Sequence, residues 1–155
     1  TESSLAAALL SAWNGGPPVA APPPADEAAA YAVPEAMAAA LGGIGGWKVG
    51  AASPATPPSG SPLPAPCLLP DGAAFPGRLR GVELELALRL GRDVPAGAAL
   101  SLDDFDAALP VLELVETRLS DWPAAPALLK LADLGNHGAL VLGAPVPGPF
   151  PTLAS

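Results

Sequence analysis

One cysteine, one histidine and two lysines are all that the 155 residues hold of those types. The lone Cys67 excludes an internal disulfide framework and a cysteine-based zinc site, and it suits a reducing compartment. Its plainest role is that of a small buried hydrophobe. Basic charge is short as well, with 7 Lys plus Arg against 15 Asp plus Glu and a formal net charge of −8. Such a balance repels phosphate backbones and anionic headgroups, so neither nucleic acid nor a membrane surface is an expected partner. The apolar stretch from Leu5 to Leu10 is too short to span a bilayer, and no basic segment with an adjoining apolar run opens the sequence. A soluble chain of the cytoplasm is the expectation.

What is present is apolar mass: half of the residues are hydrophobic, enough for one globular domain with a core. Leu5, Leu9, Leu10 and Trp13 share one side of a helical wheel, which predicts a helix over 3–13 with Ser3 or Ser4 as N-cap. A second, Ala-rich helix is predicted over 26–41, opened by Asp26 and Glu27. Pro34 within it calls for a kink or a later start. Trp47, Lys48 and Val49 between glycines read as a short strand, and residues 51–70, rich in Pro, Ser, Ala and Gly, as a long loop. Strict alternation over 82–90 predicts the clearest strand of the sequence. Ser101 and the acids after it predict a capped helix over 103–109, followed by a strand over 111–117, a helix over 124–132 and a strand over 139–142. No internal repeat is visible. The resulting division is a helical region at 1–45, a β-rich core at 46–143 and a proline-rich tail at 144–155.

The chemistry concentrates in three glutamates. Glu83 and Glu85 share one face of the alternating strand, roughly 6.5 to 7 Å apart, so they converge on one ion only if the strand bends or the side chains lean together. The same E-x-E pattern arises on any antiparallel strand with one wet face. Glu113 is harder to place on a surface, because both alternate faces of VLELV are apolar and an uncompensated buried carboxylate is costly. A salt bridge to Arg89, Arg118 or a similar cation answers that cost. So does a divalent metal, since three carboxylates with further oxygens make the hard site that suits magnesium or manganese. Lys48 either extends its ammonium to water or sits partly desolvated by the metal, where it stabilises an enolate or passes a proton. Asp133, Asn136 and His137 gather just before a strand, and a lone histidine there is more often structural than catalytic.

Taken together in order, five blocks resemble the 2-keto-4-pentenoate hydratases of the fumarylacetoacetate hydrolase superfamily. They are DEAAAYAV from Asp26, GWKVG from Gly46, GVELELALRLGRD from Gly81, LELVETRLSDW from Leu112, and the stretch from Leu131 through Asp133 to Gly143. The resemblance implies an α+β fold, with N-terminal helices leading into a mixed, mostly antiparallel sheet roll. It implies a metal-dependent hydratase that adds water to 2-hydroxypenta-2,4-dienoate or a related 2-oxo acid of aromatic catabolism. Glu83, Glu85 and Glu113 match the ligands of Mg2+ or Mn2+, Lys48 matches the pocket lysine and catalytic residue, and Asp133 and Asn136 match substrate-binding positions. A homo-oligomer is expected.

Three departures qualify that match. Family members carry an acid in the loop ahead of the E-x-E strand, where this sequence reads CLLPD with Asp71 the one acid on offer. Small hydroxyl or amide residues common in relatives are replaced by Asn136 and His137. Family members also run roughly a hundred residues further, so the sheet roll is expected to be incomplete, with unpaired edges and exposed apolar faces. Two alternatives stand beside the hydratase: a 2-oxo acid decarboxylase of the same superfamily, and a truncated, inactive relative acting as a binding or assembly module.

Overall fold

A computed structural model describes residues 1–51 and 53–150. The N-terminal third is helical. α1 (Glu2–Trp13) begins earlier than its leucine spacing indicates, because Thr1 is the cap and shares a reciprocal capping box with Ser4. α2 (Glu27–Ala40) starts directly after Asp26, whose carboxylate accepts the Ala29 N–H at 2.8 Å. Pro34 lies inside α2 on its buried side, at the expense of one intrahelical hydrogen bond. Leu9 of α1 meets Val33 and Met37 of α2, and α3 (Ala127–Ala132) closes this core with Leu129 and Ala132. α3 is shorter than the predicted 124–132, since Pro126 stands at its cap position.

Two sheets follow. β1 (Ile44–Gly50) and β2 (Ser59–Pro64) form an antiparallel pair, and β3 (Leu68–Pro70) comes after a 3-10 turn at Ala65–Cys67. The predicted loop at 51–70 is therefore corrected, since only its first part is irregular. Prolines argue against a strand in general, yet β2 tolerates Pro62 and Pro64 for a geometric reason. The Ala65 N–H reaches back to Gly43 O at 2.8 Å, so the odd-numbered amides of this segment point at β1. The even-numbered positions point away, toward an edge where a missing N–H costs nothing.

The larger sheet has the order β3-β6-β5-β4, built from β4 (Gly81–Leu90), β5 (Phe105–Val115) and β6 (His137–Leu142), and β7 (Val146–Pro147) pairs with β5. β3 and β6 run parallel and the other pairs are antiparallel. The helix predicted at 103–109 is also corrected. Ser101 and Asp104 do form a capping box, but it heads a single 3-10 turn at Leu102–Asp104, and β5 begins at Phe105. Ala107, Leu109, Val111, Glu113 and Val115 alternate into the interior, and Pro110 would have broken a helix. β7 falls inside the predicted tail, whose last five residues lie outside the described residues.

The inner face of this sheet packs on the β1–β2 pair through Leu63, Ala107, Leu109, Val111 and Leu140. Its outer face is bare over β4, while Ala139 of β6 on the same face is covered. Val82, Leu84, Leu86 and Leu88 of β4 all point outward with Leu112 of β5, and Leu84 is 79% exposed. The polar face of the alternating strand is thus the one that turns inward. Among the described residues no helix is long and apolar enough to cross a membrane.

Candidate metal centre

The β4–β5 register sets Glu83 directly opposite Glu113, with Glu85 two residues along and opposite Val111. Directly paired residues bring their Cβ atoms within about 5 Å on one face. One carboxylate oxygen from each of Glu83, Glu85 and Glu113 lies within 4.8 Å of the other two. Oxygens on opposite sides of one ion are about 4.2 Å apart for magnesium and about 5 Å apart for calcium. The spacing and the all-oxygen donor set both fit a hard divalent cation. Glu83 is open to solvent while Glu113 is 1% exposed, so the cluster sits at the mouth of a crease between the two sheets.

Lys48 enters that crease from β1. Its Nζ donates to both oxygens of Glu113, at 2.7 and 2.8 Å, and to Gly135 O at 3.2 Å. His137 Nδ1 lies 2.9 Å from Glu113 Oε1. Burial alone would push the Glu113 carboxyl up, but the hydrogen bonds from His137 and Lys48 outweigh it and hold the group below the usual carboxylate range. Burial keeps His137 neutral against the pull of Glu113, so Nδ1 carries the proton and donates it to the carboxylate. Oε1 accepts from two side chains and Oε2 from Lys48 alone, which leaves Oε2 the oxygen with more capacity for an ion. Glu85 shifts the other way, because burial and then the charge of Glu113 raise it, Lys48 opposes, and Glu83 adds to the rise. Such mutual repulsion is what a bound cation relieves.

Expected partners of Glu113 turn out to be engaged elsewhere. Arg89 pairs with Asp106 at 2.7 Å, and Arg118 donates to Asp133 at 2.5 Å. Asp133 is fully buried, and its carboxylate also accepts the Thr117 hydroxyl and the Arg118 backbone N–H. Burial pushes its carboxyl up while Arg118 opposes that shift. Asp133 therefore anchors the turn beneath the cluster instead of facing it. Leu134, Gly135 and Asn136 in that turn all take positive φ, at 54°, 58° and 63°. For a leucine this is a strained conformation, and it is what aims Gly135 O at Lys48.

Buried polar atoms without a hydrogen-bond partner collect here: Ser61 Oγ, Asn136 Oδ1 and His137 Nε2. Ser61 is the cross-strand partner of Lys48. Sequence reasoning missed it because its segment read as loop, and it left His137 outside the chosen site although that residue touches Glu113 directly. A cavity of about 200 Å³ opens beside Lys48, Glu85 and Glu113, walled by Trp47, Leu63 and Leu140.

Among the solved structures that share this fold are two of one enzyme. They are 4-oxalocrotonate decarboxylase from Pseudomonas putida G7, one complexed with calcium and acetate, the other with magnesium and adipate. The first superposes with a TM-score of 0.66 at 19% identity, covering 92% of this chain and 61% of that one. The second gives 0.64 at 18% identity, with 92% and 63% covered. The chain thus spans less than two thirds of the length of those decarboxylase chains. No family model matches the sequence, and no curated protein does. The likeness bears out the α+β class, with N-terminal helices leading into the mixed sheet those structures share, and it leaves the reaction to be argued from the site.

Proposed function

We propose that Glu83, Glu85 and Glu113 hold a divalent cation, magnesium or manganese, for a lyase reaction on a small 2-oxo acid. The observation that carries this is the convergence of three carboxylate oxygens within 4.8 Å beside an ion-paired lysine. When bound, the cation supplies Lewis acidity that offsets enolate charge on a chelating 2-oxo carboxylate. Lys48 holds a second positive charge beside the reacting oxygens, fixed by Glu113 and Gly135 O. His137 keeps Glu113 ionised and oriented, as outer partners of metal ligands do. Asn136 offers its amide to substrate, and Asp133 acts through the turn it anchors. Trp47 and Leu63 exclude water from the apolar part of the substrate.

Carbon dioxide release is the preferred reaction, supported by the decarboxylase structures that share the fold. Water addition is the second reading, supported by the ordered sequence blocks around Lys48, Glu83 and Glu113. The chain's outer sheet face belongs to the same proposal as the contact surface of a homo-oligomer. The test is to offer the magnesium-loaded chain 4-oxalocrotonate and 2-hydroxypenta-2,4-dienoate, following carbon dioxide release and loss of the dienoate absorbance. Absence of both activities, together with no magnesium or manganese affinity by calorimetry, sinks the proposal.

A further inference from the structure

A second cavity, of about 220 Å³, lies outside the crease, between the end of α1 and the segment that leads into β4. Its walls include Trp13, Pro18, Phe75 and Pro76 on the apolar side and Arg78 and Arg80 on the polar side. The two arginines stand out against the rest of the chain. Of 7 Lys plus Arg in the sequence, Lys48, Arg89, Arg92 and Arg118 are ion-paired. Arg78, Arg80 and Lys130 have no ion pair among the described residues, and two of those three face the same cavity. In a chain of formal charge −8, cations left beside one another need a reason.

The nearest acid does not supply it. Glu116 Oε1 accepts the Arg78 backbone N–H at 2.8 Å. Its Oε2, together with the Phe75 ring, lies close to where a Cβ on residue 77 would stand, so the carboxylate rests against the Gly77 main chain. Glu116 is thereby engaged by the backbone, and Arg78 and Arg80 both line the cavity without an ion pair among the described residues. Arg118, buried and satisfied by Asp133 and the carbonyls of Asp133 and His137, stacks over the Trp13 ring at 5.1 Å and fixes that wall. Paired arginines next to rigid rings make a receptor for a planar anion with an apolar body.

We propose that this cavity binds a small organic carboxylate, its apolar body against Trp13 and Phe75 and its carboxylate met by Arg78 and Arg80. The Arg118–Asp133 pair and His137 lie between this site and the three glutamates, so a ligand bound here does not touch the proposed metal ligands. The experiment is calorimetric titration of the full chain with phenylacetate in the presence of EDTA, with benzyl alcohol and inorganic phosphate as parallel probes. Saturable binding is expected, weakened about tenfold or more by Arg78→Gln with Arg80→Gln. Glu83→Gln with Glu85→Gln leaves it unchanged. Both arginines are exposed and unpaired, so the double variant keeps its Tm; should it unfold, Arg78→Lys with Arg80→Lys, which keeps the charge and loses the fork, gives the same test with a several-fold weakening expected. No saturable binding, equal binding in the arginine variants, or loss in the glutamate variant overturns the proposal. Phosphate or benzyl alcohol binding as tightly as phenylacetate overturns it too, since the site then reads only one half of the molecule.

Discussion

Glu113 keeps its charge in the interior because Lys48 and His137 together donate three hydrogen bonds to it. Removing that charge by Glu113→Gln leaves Lys48 without its counter-ion and is expected to cost about 2–3 kcal/mol in the metal-free chain, toward the low side for a buried pair because Lys48 is partly exposed. Chemical denaturation with EDTA present measures it. Glu85 behaves in the opposite sense. Its carboxyl is raised in the folded chain, so the stability it contributes is present below the ordinary glutamate range and lost as pH rises through the raised value. Glu85→Gln, which mimics the protonated form, is expected to stabilise the metal-free chain at pH 7 by about 0.5 kcal/mol and to bring no gain at pH 4. It also removes a proposed ligand, so the same substitution is expected to weaken metal binding while it stabilises the metal-free chain. Cys67 gives a separate check. Burial pushes its thiol up to about 11, so at pH 8 it reacts slowly with a disulfide reagent until the chain is unfolded.

At the scale of elements, β4 has its two faces the opposite way round from a half-buried surface strand. Leu84 and Leu86 are 79% and 71% exposed, so Leu84→Lys with Leu86→Lys is expected to change monomer stability by no more than about 0.5 kcal/mol per site while suppressing the self-association proposed for this face. Light scattering after size exclusion, with calorimetry, reads both. The strand itself was legible in its alternation, and so was the pairing of Glu83 with Glu85, because a period of two is a local property. Which face turns inward was not legible, since it depends on the β1–β2 pair that covers the glutamate side. β2 was hidden by its prolines, whose harmlessness follows only from the direction of the amides around them. The helix predicted at 103–109 failed for the converse reason: Ser101 and Asp104 make a real cap, but a cap fixes one turn and the inward alternation of β5 decides what comes next. Lys48 and Glu113 were each suspected separately. Their contact spans 65 positions of sequence, and no local pattern signals it.

For the molecule as a whole, three carboxylates share one crease with a single lysine, and a divalent cation is expected to relieve the repulsion that Lys48 leaves. Magnesium or manganese at about a hundred times its dissociation constant is expected to raise unfolding stability by about 2.7 kcal/mol, and EDTA to reverse the gain. The effect fades as pH falls through the carboxylate range, because protons and the cation compete for the same oxygens. Differential scanning calorimetry at pH 7 and pH 4.5 measures both statements. An unchanged Tm on adding metal at pH 7 would count against the three glutamates as a binding site.

The parallel pairing of β3 with β6 joins residues 68–70 to residues 140–142, and Val19 bridges to Leu119 in the same long-range manner. Such connections close large loops before they return any binding, which places the folding of this chain among slow, non-local topologies. During synthesis β4 emerges before the strand that carries the third glutamate, and before the strand that brings His137. Until β5 forms, the nascent chain holds two of the proposed ligands on an unpaired, leucine-rich strand, with nothing yet to separate the polar face from the apolar one. The interval until β5 and β6 arrive is when this sequence is most exposed to misassembly.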